Sequence, residues 1–269
     1  MPDHYPPFAN FDFAFIDQLI FHPRPDFSPS PPSGAEDRLF SVAPGVEIGG
    51  RFFLGDPKKP DLLFFHGNGE IASDYDDLGP CFHRWGLNLL VADYRGYGRS
   101  GGAPSVGTLL PDALAVFDQV QEWRTEQART GPFLLMGRSL GSAPAIEIAS
   151  QRAGKIAALI LDSAFAYSLP LLKLLGIPVE ALGIREEDGF RNLEKIAFLS
   201  KPTLFIAGLR DDLIPPSESE TLLQHCGAHR KELVLVPGAG HNDIFSRCGE
   251  GYFDLVARFI KPLTRKQKT

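Results

Sequence analysis

Residues 133–146 constrain this chain more than any other stretch. Four apolar residues, Phe133-Leu134-Leu135-Met136, run straight into Gly137-Arg138-Ser139-Leu140-Gly141, and a helix-prone segment, 143–151, follows at once. This is the G-x-S-x-G pattern in a strand–turn–helix setting. So sharp a turn forces Ser139 into strained backbone geometry. Gly137 and Gly141, lacking a Cβ, let strand and helix close on the turn. The expected result is a hydroxyl at the carboxyl end of a strand and the amino end of a helix. Free N–H groups at that helix end can stabilise negative charge.

The rest of the chain must build a sheet around such a strand. It has 269 residues, 43% of them apolar, enough for one large domain. A net charge of −6, with both signs well mixed, speaks against a nucleic-acid or anionic-membrane partner. Lys261, Arg265, Lys266 and Lys268 read as a solvated basic terminus. The three cysteines, Cys81, Cys226 and Cys248, are far apart and odd in number, which fits free thiols in a reducing compartment. The start, Met1-Pro2-Asp3-His4, has neither the basic nor the apolar region of a signal peptide. No apolar run approaches the ~20 residues that span a bilayer. These features predict a soluble, cytoplasmic protein; they leave the oligomeric state open.

Two regions are expected, an arm over 1–37 and a single α/β domain over 38–269. The arm carries Phe11, Phe13, Phe15, Ile16, Leu19, Ile20 and Phe21, and then Pro23, Pro25, Pro29, Pro31 and Pro32 forbid a long helix. With no basic face beside them, its aromatics are expected to pack on the domain rather than on a membrane. Eight strands are expected. Residues 38–42 and 50–54 read as an opening antiparallel pair. Residues 61–66, 88–94, 133–136, 157–161, 203–207 and 232–236 follow, several as the unbroken apolar runs of strands buried on both faces. Helical patterns over 72–85, 108–126, 217–225 and 252–260 alternate with them. The alternation predicts a mostly parallel eight-stranded sheet with helices on both faces. Residues 165–199 break the rhythm, and are expected to form a small cap insertion.

A serine hydroxyl needs a base, and a histidine base needs a carboxylate to hold its tautomer. Both should lie on loops after later strands. The loop after 203–207 offers Asp211 or Asp212; the loop after 232–236 is Gly238-Ala239-Gly240-His241-Asn242-Asp243, with His241 freely accessible. Asp162, ending the strand beside the elbow, is a further candidate acid. An oxyanion needs backbone N–H donors. Leu140, just after Ser139, supplies one, and Asn68 in His66-Gly67-Asn68-Gly69-Glu70 supplies the other. His66 is expected to order that loop, and Tyr94 and Arg95 to brace the floor beneath it. His4, His22, His83, His225 and His229 have no such context. No H-x-x-x-H, paired cysteines or post-strand G-x-G-x-x-G suggests a metal or cofactor.

Taken together, His66-Gly67-Asn68, the run from Asp93 to Ser100, the elbow, the segment from Gly208 to Pro215 and Gly240-His241-Asn242-Asp243 resemble the α/β-hydrolases, and within them the Bem46-like serine hydrolases and their kin. The resemblance extends over residues 61–245 in family order. It implies the acid three residues after Gly208, which is Asp211. It also implies a Ser139–Asp211–His241 triad acting on a small-molecule ester or thioester without a cofactor. A thioesterase on acylated proteins, a peptidase and a non-catalytic scaffold are the neighbouring readings. Ser139, where an aspartate would be needed, argues against dehalogenase and epoxide-hydrolase chemistry.

Overall fold

A computed structural model describes residues 14–28 and 30–264. Phe11, Phe13, Pro29, His4 and the basic residues Arg265, Lys266 and Lys268 lie outside the described residues. Eight strands form one sheet: β1 (Ala35–Ala43), β2 (Val46–Phe53), β3 (Asp61–Phe65), β4 (Asn88–Ala92), β5 (Phe133–Arg138), β6 (Ala158–Asp162), β7 (Thr203–Gly208) and β8 (Lys231–Val236). Their order is β1-β2-β4-β3-β5-β6-β7-β8. β1 pairs antiparallel with β2, and β2 with β4; every pairing from β4 through β8 is parallel. β2 begins four residues before its expected bound because a tight turn at Gly45 (φ 72°) carries the pairing to Ala43 and Val46, and β1 begins three residues early because Ala35 pairs with Phe53 at the other end of the hairpin.

Strand residues alternate between two cores. Leu63, Phe65, Leu135, Leu159, Leu161 and Phe205 point to one face; Leu62, Phe64, Leu134, Met136, Ile160 and Leu204 point to the other. The period-two pleat of continuous apolar strands requires this split. The first face is covered by α1 (Ala14–Ile20), α3 (Val106–Glu126), α4 (Ser142–Gln151), α5 (Ser168–Leu174), α6 (Asn192–Ala197) and α7 (Pro216–His225). The second is covered by α2 (Gly79–Arg84), α8 (Ile244–Cys248) and α9 (Glu250–Thr264). The continuous helix expected over 72–85 is instead a 3-10 turn, Ala72–Tyr75, followed by α2. Pro80 in the first turn of α2 lacks the N–H that an uninterrupted helix would use there. The helix α1 was not expected; it fits ahead of the prolines and buries Ile16 and Ile20.

Parallel pairing puts the carboxyl ends of β3, β5, β6, β7 and β8 on one edge, with Phe65 beside Gly137, Arg138 beside Asp162 and Gly208 beside Val236. The loops that follow are therefore neighbours.

Candidate active site

Ser139 leaves β5 with φ 52°, in the left-handed region that a residue with a side chain rarely adopts. The turn is as tight as the glycine spacing requires. A Cβ on Gly137 would stand 2.2 Å from the Gly141 carbonyl oxygen, and one on Gly141 2.0 Å from that of Phe65. The chain continues through a 3-10 turn, Ser139–Gly141, into α4, so the Leu140 N–H belongs to a helical entrance. Ser139 is 7% exposed.

The loop after β7 brings Asp211 to the same edge. Its side chain is fully enclosed, and Oδ1 accepts the Leu213 and Ile214 N–H groups at 3.0 and 2.8 Å. Burial alone would raise its pKa; the hydrogen bond to His241 and the Ile214 N–H outweigh burial and hold it below the usual carboxylate range. Asp212 is exposed. The β7 and β8 loops pack backbone to backbone, Arg210 N–H donating to the Ala239 carbonyl at 2.7 Å. A Cβ on Gly208 would come within 2.5 Å of that same oxygen.

His241 joins the two. Its Nδ1 lies 2.8 Å from Asp211 Oδ2 and its Nε2 lies 2.9 Å from Ser139 Oγ. With a carboxylate on Nδ1, the proton belongs there, and Nε2 is free to accept from the serine. The free access expected of its glycine-flanked loop is not what the fold provides. The imidazole is 9% exposed, because its two partners and the packed loops enclose it. Asp162, the other candidate acid, points elsewhere: Oδ2 accepts the Tyr252 hydroxyl at 2.7 Å, and complete burial raises its pKa despite Arg138 nearby.

On the other side of Ser139, the loop after β3 carries Asn68. Its side-chain amide is committed: Oδ1 accepts from the Tyr97 hydroxyl at 2.6 Å and the His22 N–H at 3.1 Å, while Nδ2 donates to the Ile20 carbonyl. Arg24 donates to the Gly69 carbonyl at 2.7 Å. The arm thus grips the loop, a role that His22 and Arg24 showed no sign of in the sequence. His66 is fully buried, with Nδ1 2.8 Å from the Gly67 carbonyl and Nε2 3.2 Å from Asp93 Oδ1. The Tyr94 hydroxyl donates to the His66 carbonyl at 2.6 Å, and Arg95 pairs with Asp112 of α3. Arg138 and Glu70, unassigned by motif, are also drawn in. The only signal for them was a cation and an anion beside segments that had to be buried.

Among the described residues, no group of three or more His, Cys, Asp or Glu could hold a metal ion, and no helix is long and apolar enough to cross a membrane.

A family model described as "Serine aminopeptidase, S33" matches residues 56–181. An uncharacterized protein of Mycobacterium tuberculosis is 36% identical over 250 residues, covering 90% of this chain and 86% of that protein. Protein bem46 of Schizosaccharomyces pombe is 28% identical over 210 residues, covering 75% of this chain and 67% of that protein. Among solved structures, an esterase of Pyrococcus furiosus superposes with a TM-score of 0.70 at 20% identity, covering 90% of this chain and 98% of that one, a likeness of fold.

Proposed function

The chain belongs to the α/β-hydrolase superfamily, resembling its Bem46-like members, and on that premise we propose that it is a cofactor-independent serine hydrolase that cleaves carboxylic esters. The observation that carries this reading is the hydrogen-bonded chain Asp211–His241–Ser139 at a strained elbow. Ser139 Oγ attacks the acyl carbon while His241 Nε2 takes its proton. The Leu140 and Asn68 backbone N–H groups stabilise the oxyanion. His241 returns the proton to the leaving alcohol, and an ester of Ser139 remains. Water, deprotonated by the same imidazole, then releases the acid and restores the serine. Asp211, held ionised, keeps the proton of the neutral ring on Nδ1 and stabilises the imidazolium that forms.

Residues 165–199 act in this reading as a small cap over Ser139. They leave β6 next to the elbow, and Leu169, Leu171 and Leu175 are only partly buried. If these half-covered side chains reach over the nucleophile, they favour an acyl chain over a charged substrate. The three free thiols favour a reducing compartment, and hence the cytoplasm.

The test is turnover of p-nitrophenyl esters, a matched acyl thioester and an aminoacyl anilide by wild type and Ser139→Ala. Ester turnover lost in the variant supports the proposal. Preference for the thioester or the anilide replaces it with a thioesterase or a peptidase. Absence of turnover on all three points to a binding scaffold.

A further inference from the structure

We propose that Arg138 is a positioning residue that ties the oxyanion loop to the histidine loop across Ser139. This rests on the reading of Ser139, His241 and Asp211 as the catalytic set.

Arg138 is the last residue of β5, covalently adjacent to Ser139, and its side chain is 7% exposed. A guanidinium so enclosed must find acceptors for its donors. It finds them in two directions. Nη1 donates to Glu70 Oε1. Nη2 donates to the backbone carbonyl of His241 at 2.7 Å and to Asn242 Oδ1 at 3.1 Å. Glu70 passes the contact on: Oε2 accepts the Gly67 N–H at 2.8 Å and the Tyr75 hydroxyl at 2.6 Å. Gly67 immediately precedes Asn68, whose N–H is the second oxyanion donor. Burial alone would make Glu70 harder to ionise, but Arg138 reverses this and keeps it a carboxylate.

One planar group, extended by Glu70, therefore links the backbone of the histidine loop to the Gly67 N–H beside an oxyanion donor, anchored on the residue next to the nucleophile. The task suits arginine and not lysine, since a single ammonium cannot present a rigid fork to both loops. Displacing either loop slightly would leave substrate binding intact and weaken only what forms in the transition state.

The test compares wild type, Arg138→Met, Arg138→Lys, Glu70→Gln and the double variant Glu70→Gln/Arg138→Met. Folding is checked by circular dichroism, and kcat and KM are measured on p-nitrophenyl acetate together with the rate of fluorophosphonate labelling. In Arg138→Met, kcat and the labelling rate should fall on the order of 10²-fold, the size of a lost oxyanion donor, with KM nearly unchanged. Arg138→Lys keeps the charge and should still lose roughly 10-fold in kcat, because it can serve one loop but not both. The double variant should be no slower than Arg138→Met, since both changes break the same bridge. Wild-type kcat in folded Arg138→Lys, or losses that multiply in the double variant, would overturn the proposal. If Arg138→Met does not fold, Arg138→Lys decides by the same kinetics. The labelling of wild type separates the two readings. No label on Ser139 in wild type defeats the catalytic assignment, whereas equal labelling of wild type and Arg138→Lys defeats the clamp alone.

Discussion

Asp211 and Asp212 are neighbours in the chain, yet one is sealed against His241 and the other faces solvent. Asp211→Asn should lower kcat on the order of 10³- to 10⁴-fold, because the amide favours the wrong imidazole tautomer. Asp212→Asn should change it little. Steady-state kinetics on both variants checks this, and a sensitive Asp212 would move the acid by one residue. The pH profile follows from the same pair. An imidazole base must be unprotonated to take the serine proton. Asp211 is held below the usual carboxylate range, so its carboxylate is lost only when the pH falls below that range. Hydrolysis should fall on acidification as the base gains a proton and level off at higher pH. A rate that does not respond to acidification would contradict a histidine base. That Ser139, Asp211 and His241 would meet at one sheet edge was legible because motif and strand order both point there. Arg138 was not. Its partners lie 68 and 103 residues away in sequence, and one chain contains no signal for such pairings.

The strands were legible as elements because burial on both faces leaves apolar runs with little ambiguity, and β3 ends just before His66 and β7 in Gly208, where loops start. The helices were less so. An apolar periodicity over 72–85 ignored Pro80, and α1 was hidden among prolines and aromatics. Residues 165–199 are held by carboxylates that no pattern announced. Glu186 accepts the Ser168 and Leu169 N–H groups at the start of α5, and Glu218 of α7 accepts those of Ala166 and Tyr167. If this element lines an acyl site, replacing Leu171 and Leu175 with Ala should flatten selectivity across p-nitrophenyl esters of increasing chain length and spare the acetate. A uniform loss of activity with a lowered melting temperature would show that these leucines serve packing alone.

Across the whole molecule, the arm is fastened to the sheet by buried charge as well as by apolar contact. Arg51 of β2, 1% exposed, pairs with Asp26 of the arm, Asp37 of β1 and Asp76 beyond the 3-10 turn. Removing Arg51 leaves Asp76 without its cation, and Asp26 and Asp37 with only the longer contacts to the more exposed Arg99, at 3.3 Å each. Arg51→Met should therefore lower the unfolding free energy by about 3 kcal/mol, read by chemical denaturation. A change within ~0.5 kcal/mol would mean that the cluster is solvated and the arm is held by Ile16, Ile20 and Phe21 instead. The arm's aromatics were expected to pack on the domain; Phe21 does, beside Ile16 and Ile20, whereas Phe15 is exposed. The arm's grip on Asn68 was not expected, since backbone groups of Ile20 and His22 make the contact and backbone groups leave no trace in residue identity. The proposed hydrolysis stands on Ser139 as the nucleophile. The most direct measurement is intact-mass analysis and peptide mapping after reaction with a fluorophosphonate, on wild type and Ser139→Ala. A single adduct on Ser139 in wild type, and none in a folded Ser139→Ala, is the predicted result. An adduct on another serine, or labelling that persists in Ser139→Ala, would contradict it.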